Sequence, residues 1–252
     1  MKFTELDRKM RVFETAHDHS VLPGIFMVAR LDGRGFTKLL REKHDFEAPF
    51  DPRFRDLMVG TGRHLMDCGF NFLLCYSQSD EISLLFHPEE AGFGRKLRKL
   101  NSVLAGEASA KFSLLLGDAA SFDCRISQLP RRSDVVDYFR WRHEDAHRNA
   151  LNAHCYWLLR KQGMKPEEVQ KELNGLSVSA KNELLFQQGG INFNDLPQWE
   201  KRGWALRWTP MLRRAENPRT GESVAAERRQ LTLDLELPLR DAFSEMIRDL
   251  IA

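Results

Sequence analysis

Ile25-Phe26-Met27-Val28-Ala29-Arg30-Leu31-Asp32-Gly33-Arg34-Gly35-Phe36 is one of two stretches that decide the fold; the other is Phe72-Leu73-Leu74-Cys75-Tyr76-Ser77-Gln78-Ser79-Asp80-Glu81-Ile82-Ser83-Leu84-Leu85-Phe86. In the first, an apolar run of buried-strand type delivers Asp32 into a glycine-flanked turn. In the second, two apolar runs flank Gln78-Ser79-Asp80-Glu81, which puts the carboxylates at a hairpin tip. If the strands share a sheet, Asp32 and Asp80 meet at one edge. Hard divalent cations want clustered carboxylate oxygens, and phosphoryl transfer uses two such cations about 4 Å apart. The pattern points to a metal-dependent nucleotidyl transferase, with Asp32, Asp80 and Glu81 as its catalytic carboxylates.

Working outward, Phe36 to Lys43 reads as a short helix, and Arg53 to Cys68 as a clearer one that Gly69 stops. A long helix is expected from about Phe93 to Leu116, with Leu97, Leu100, Leu104, Ala108, Phe112 and Leu115 at helical spacing. Ser121 to Leu129 is a further strand, closed by Pro130. The order strand, helix, strand, strand, helix, strand is that of the ferredoxin-like βαββαβ motif, also the palm of many polymerases and nucleotide cyclases. The expected class is α+β, with residues 1–130 as a palm-like catalytic domain.

Beyond Pro130 the pattern changes. Asp134 to Lys161 reads as a long helix rich in aromatic and basic residues, Pro166 opens another, and Ser179 to Gln188 a third. Trp204-Ala205-Leu206-Arg207-Trp208 and Gln230-Leu231-Thr232-Leu233-Asp234-Leu235 read as strands of a long hairpin, its loop holding Asn217-Pro218-Arg219-Thr220-Gly221. Residues 131–252 are therefore expected to form a helical and β-hairpin appendage packed on the palm.

The 252 residues are 42% hydrophobic and 29% charged, ordinary values for a globular protein. The net charge is only +2, so nucleic-acid binding has to come from local patches. No apolar run reaches the roughly 20 residues of a membrane span, and the charged N-terminal stretch is no signal peptide. Four cysteines without a C-x-x-C pair suit a reducing cytosol. The expected location is cytoplasmic.

Each cluster has a plainer alternative. Asp-Gly is a common turn, and Asp80-Glu81 alone suits a solvated tip. Gly33-Arg34-Gly35-Phe36-Thr37 can present successive N–H groups as an anion nest for a triphosphate. In the Arg95-Lys96-Leu97-Arg98-Lys99 run, Arg95, Arg98 and Lys99 share a face that either grips phosphates or is simply wet. There is no G-x-S-x-G elbow, no P-loop, no dinucleotide fingerprint and no Cys/His zinc spacing.

Several segments together resemble the tRNA(His) guanylyltransferase family, the 3′–5′ polymerases. They are Arg30 to Phe36, Glu42-Lys43-His44, Gln78 to Glu81, Phe122-Asp123-Cys124-Arg125, Asp137 to Arg142, Lys181-Asn182-Glu183 and Ile191 to Asn194, in the family's order. The resemblance implies two Mg²⁺ ions on Asp32 and Asp80, with the Gly33 carbonyl as a further ligand. ATP and GTP, or other nucleoside triphosphates, would be held by Asp32, Gly33, Arg34, Gly35, Phe36, Thr37, Ser79, Asp80 and Lys99. It also implies a tRNA partner and a homo-oligomer, a tetramer by the family's habit. Candidate tRNA contacts are Arg125, Arg142, His147, Asn149, Lys181, Asn182, and the hairpin residues Arg213, Arg214, Arg228 and Arg229. Eukaryotic members carry H-I-N-N-L-Y-N; here His147-Arg148-Asn149-Ala150-Leu151-Asn152-Ala153 keeps only the His, one Asn and the Leu, and Ala48 stands where a lysine is common. These departures resemble the bacterial and archaeal-type branch, which repairs truncated tRNA 5′ ends. A cyclase-like palm enzyme and a non-catalytic RNA-binding protein are the alternatives.

Overall fold

The computed structural model describes the backbone of residues 1–216 and 223–252, and side chains outside 213–226. Six strands form one antiparallel sheet: β1 (Phe26–Gly33), β2 (Phe72–Gln78), β3 (Glu81–Phe86), β4 (Phe122–Leu129), β5 (Trp204–Glu216) and β6 (Ser223–Asp234), in the order β4-β1-β3-β2-β5-β6. The first four strands have the expected ferredoxin-like arrangement, in which each helical crossover skips one strand.

The apolar runs are continuous because the sheet is covered on both faces. Met27, Ala29 and Leu31 of β1 point to one side, where helices α3 (Pro52–Met66) and α4 (Leu97–Leu116) bury Met58, Leu65, Leu104 and Phe112. Val28 points to the other, with Leu85 of β3, against Val135 and Phe139 of helix α5 (Arg132–Lys161). Asp51 starts α3, its carboxylate accepting the Arg53 N–H at 2.7 Å. Gly117, at φ +77, ends α4.

Helix α6 (Pro166–Leu173) and helix α7 (Val178–Gly189) pack beside the far half of α5 around Leu151, Cys155 and Leu185. Helix α1 (Phe3–Thr15) precedes the sheet and buries none of its residues. No described helix is long and apolar enough to cross a membrane.

The structure differs from the sequence-based expectation in four places. The helix over 36–43 is one turn, α2 (Phe36–Lys38), widening into a π-turn over Leu39–Lys43. There Arg41 donates to the carbonyls of Phe46, Glu47 and Pro49 and gathers the following loop. Helix α4 starts four residues later than expected, because Phe93, Gly94 and Arg95 have left-handed φ values of +54°, +61° and +58°. The hairpin strands are longer than expected: only Trp204–Arg207 pairs with β2, Trp208, Leu231 and Leu233 still pack partly against the core, and beyond them the two strands pair only with each other. The expected loop residues 217–221 lie outside the described residues, as do the side chains of Arg213 and Arg214. Two helices have no counterpart in the sequence-based expectation, α8 (Gln198–Arg202) and α9 (Asp241–Leu250). In α9, Phe243, Met246 and Ile247 form an i, i+3, i+4 stripe that completes the core under α5.

Candidate active site

The sheet register brings the acidic clusters together. Asp32 pairs with Glu81 across β3 and with Asp123 across β4, so three carboxylates form one row over three adjacent strands. They share the α5 face with Arg30, because residues two apart on a strand point the same way. Residues 79 and 80 make the two-residue turn between β2 and β3, whose last pair is Gln78 and Glu81. The tip is held in three ways: the Gly33 N–H donates to the Asp80 carbonyl at 3.1 Å, Ser77 Oγ donates to the Glu81 carbonyl at 2.8 Å, and Gln78 Nε2 donates to the Glu200 carbonyl at 2.9 Å.

Arginines balance most of this negative charge. Arg30 reaches Asp32 at 3.3 Å and Glu81 at 3.0 Å. Arg125 lies 2.9 Å from Asp123 and 3.6 Å from Asp32. Arg142 binds Glu81 and, at 3.2 Å, Asp145. Among the described residues Asp80 has no such partner; Ser79 Oγ donates to it at 3.0 Å. Burial, then the repulsion of Asp32 and Glu81, pushes its carboxyl up to about 6. Among the described residues, no three His, Cys, Asp or Glu side chains converge as a metal cage.

Beside the row lies a cavity of about 310 Å³, within the range of small-ligand pockets. Thr37, Ser79 and Asp80 line one wall, and Arg142, Asn149 and Trp157 of α5 the other. Ala146, Ala150 and Ala153 keep the α5 surface between them low.

Asp32, Gly33, Gly35, Thr37, Ser79, Asp80 and Glu81 thus meet at one end of the sheet. Of the five expected nest donors, two are spent: Gly33 N–H on Asp80 and Arg34 N–H on the Ser121 carbonyl at 2.8 Å. That leaves those of Gly35, Phe36 and Thr37, in a first turn whose N–H groups a helix does not satisfy itself. The Phe36 ring is buried, 5.0 Å from both Phe112 and Phe122, so only its backbone faces a ligand.

Several expected contacts lie elsewhere. Lys99 is on the first turn of α4, near the start of β1, where the Val21 N–H meets the Arg95 carbonyl; the strands run from there to the carboxylates at their other end. Its placement near the triphosphate is corrected for that reason. Arg95 is buried and donates to the Ile25 carbonyl, and Arg98 pairs with Asp18, so this basic run is structural. Arg142 is only 7% exposed and engaged by carboxylates, so it braces Glu81 rather than offering itself to RNA. Asn182 spends its amide on the Val178 carbonyl at 2.9 Å. The His147 ring packs edge-on against Phe193 at 5.3 Å, and burial lowers its pKa. Asn149 lines the cavity and Lys181 lies beyond it, while Arg125, Arg228 and Arg229 are exposed. Sequence reasoning missed Arg30, Asp123 and Trp157 as site residues. The first two were legible from strand periodicity once Asp32 was placed; Trp157 carried no local signal.

Residues 7–130 match the tRNAHis guanylyltransferase family and residues 133–245 the Thg1 C terminal domain. A probable tRNA(His) guanylyltransferase of Drosophila melanogaster is 34% identical over 198 residues, covering 75% of this chain and 69% of the relative. A bacterial tRNA(His) guanylyltransferase-like protein solved with ATP superposes with a TM-score of 0.78, and one solved with GTP with 0.71. Both are 25% identical and cover 98% of this chain and 99% of theirs. With both halves of the chain matched, the chain belongs to the tRNA(His) guanylyltransferase family, nucleotidyltransferases that add nucleotides to the 5′ end of tRNA.

Proposed function

We propose that the Asp32–Asp80 end of the sheet is the nucleotidyl-transfer centre and that it repairs truncated tRNA 5′ ends in the 3′–5′ direction. The observation that carries this is Asp80. It is a half-buried carboxyl pushed up to about 6, with no cationic partner among the described residues, beside the row of Asp32 and Glu81. A site of hard oxygen donors short of positive charge fits Mg²⁺. The lack of a third carboxylate is no obstacle, because Mg²⁺ is usually held by one or two carboxylates plus substrate phosphates.

In this reading Asp32 and Asp80, with the Gly33 carbonyl, hold the metal. When bound, Mg²⁺ supplies charge neutralisation and lowers the pKa of the attacking hydroxyl. The chain's own groups do the positioning. The N–H groups of Gly35 to Thr37 receive the triphosphate, and Ser79 and Asn149 frame the nucleotide in the cavity. Arg30 and Arg142 fix Glu81, which tunes the field at Asp80. Arg125 is 54% exposed and can turn from Asp123 to a substrate phosphate. The 5′ phosphate attacks the α-phosphorus of ATP and takes on AMP as pyrophosphate leaves, or a 5′-triphosphate replaces that step. The 3′-hydroxyl of the incoming nucleotide then forms the new O–P bond as AMP or pyrophosphate leaves.

Residues 1–130 supply this chemistry, while residues 131–252 wall the cavity through α5 and hold the RNA. A homo-oligomer belongs to the same reading; Phe3, Met10 and Phe13 on α1 are exposed apolar groups that suit contact with a second copy, and light scattering tests it.

The altered 147–153 segment favours templated repair, because pairing with the opposite strand selects the nucleotide with fewer protein contacts to the base. The test is a side-by-side rate for tRNA lacking its first 5′ nucleotide and for full-length tRNA(His), with ATP and each labelled nucleotide. Faster extension of the truncated tRNA by the pairing base is expected. Preferential addition of guanosine opposite adenosine on full-length tRNA(His) overturns the repair reading.

A further inference from the structure

The cavity above Asp80 does not end at α5. Past Trp157 and Ala153, which line both spaces, an open groove of about 600 Å³ lies between α5, the end of α6 and the start of α7. Its lining is unlike that of the first cavity. Tyr156 and Trp157 give aromatic surface, their rings 5.4 Å apart and nearly perpendicular. Asn152, Gln170 and Asn174 give amide edges, and among the described residues Lys181 is the one charge in the wall, with no carboxylate.

The groove is also built to keep its shape. Arg41 lies over the Trp157 ring at 5.2 Å while its guanidinium donates to three loop carbonyls, which fixes the partition between the two spaces. Cys155 Sγ donates to the Lys181 carbonyl at 3.4 Å and ties α7 to α5. An aromatic face, amides that read hydrogen-bonding edges, and one cation without an ion pair among the described residues form the recognition chemistry of a nucleotide outside a duplex.

We infer that this groove binds one unpaired nucleotide of the RNA whose end lies at Asp80, stacking its base on Tyr156 and meeting its phosphate with Lys181. The inference rests on the reading of the Asp32–Asp80 cavity as the transfer centre. From Asn149 to Tyr156 is seven residues of helix, about 10 Å. That is about three stacked nucleotide steps of roughly 3.4 Å. The nucleotide in the groove is therefore a close neighbour of the end being extended. A free nucleoside triphosphate offers the same base and phosphate, but a wall shared with the first cavity, Ala153 and Trp157, favours a strand that passes over it from one to the other.

The test uses the full chain, with fluorescence anisotropy of an RNA hairpin carrying an unpaired single-stranded tail and of the same hairpin without it, and calorimetry with ATP. Tyr156→Ala is expected to weaken the tailed RNA roughly fivefold to hundredfold, to leave the tail-less RNA and ATP within about twofold, and to be rescued by Tyr156→Phe. Asn174 is exposed at the end of α6, so Asn174→Trp fills the groove without touching the core and should give the same selective loss if Tyr156→Ala folds poorly. Equal loss for both RNAs, no loss, or loss confined to ATP overturns the inference, the last by making the groove a free-nucleotide site. Asp80→Asn separates the two readings: it should abolish nucleotide addition yet keep the tail-dependent affinity. If Asp80→Asn stays active, the transfer centre is misassigned, while the tail-dependent affinity still decides the groove.

Discussion

The backbone N–H of Gly33 donates to the backbone carbonyl of Asp80 at 3.1 Å, fastening the turn after β1 to the tip of the β2–β3 hairpin. Two acidic clusters almost fifty residues apart thereby become one site. The bond is between backbone groups, so it survives replacement of either carboxylate and lets the fold and the chemistry be tested separately.

Asp32→Ala and Asp80→Ala should each abolish 5′ nucleotide addition while keeping a native circular dichroism spectrum. Losing the carboxylate ligands removes several kcal/mol of transition-state stabilisation, about a thousandfold or more in rate. Near-normal turnover by either variant, measured with labelled nucleotide, would remove that carboxylate from the site.

The two glycines of the turn should fail for different reasons. A Cβ on Gly33 would fall 1.8 Å from the Phe36 ring, which Phe112 and Phe122 hold from behind. Gly33→Ala should cost about 1–3 kcal/mol by overpacking, a drop of about 3–10 °C in Tm. A Cβ on Gly35 meets nothing within 4 Å, but φ is +70°. Gly35→Val should strain the backbone by about 1–2 kcal/mol and weaken ATP binding, read by calorimetry. Normal ATP affinity in Gly35→Val would show that the first turn of α2 does not hold the triphosphate.

His143 should set an acid limit on stability. It is 1% exposed, its ring lies flat on Phe243 at 4.0 Å, and burial, helped by Arg202, pushes its pKa down to about 3. Above the ordinary value near 6.5 both folded and unfolded chains hold it neutral. Below that, the unfolded chain takes a proton that the folded one refuses, so stability falls as pH drops from about 6.5 towards 3, by up to about 1.4 kcal/mol per pH unit. Urea midpoints at several pH values should show this slope in the wild type and a shallower one in His143→Phe. An unchanged slope would assign the acid sensitivity to other groups.

RNA affinity should be salt-dependent and local. The double variant Arg228→Ala, Arg229→Ala should reduce the slope of log affinity against log salt by about 0.7–0.9 for each phosphate that the two arginines neutralise. Lys99→Ala, at the opposite end of the sheet from Asp80, should leave nucleotide affinity unchanged. A flat salt dependence, or an ATP defect in Lys99→Ala, would contradict this placement of the binding surfaces.

Two features of the site were legible only in part. Tyr138 and Trp141 belong to a segment that carries the family resemblance, yet nothing local showed that Tyr138 would stand 3.4 Å from Ser83 over the sheet. The family resemblance makes Arg142 a candidate tRNA contact. Its burial follows from Glu81, which sits opposite it and needs a partner.

Local pattern was enough for the palm and for putting Asp32 and Asp80 at the ends of strands. Strand and helix periodicity are short-range, and a strand that ends in Asp-Gly or a hairpin that turns at Ser79-Asp80 places its acids whatever the rest of the chain does. Which groups besides Arg30 neutralise those acids, and what encloses the cavity, came from packing. Arg30, Arg125 and Arg142 come from three elements, and Trp157 reaches the cavity only because α5 crosses the sheet's second face. Long-range charge pairing depends on packing between distant segments. A single basic residue in sequence carries no record of whether it will meet an acid, a carbonyl or water.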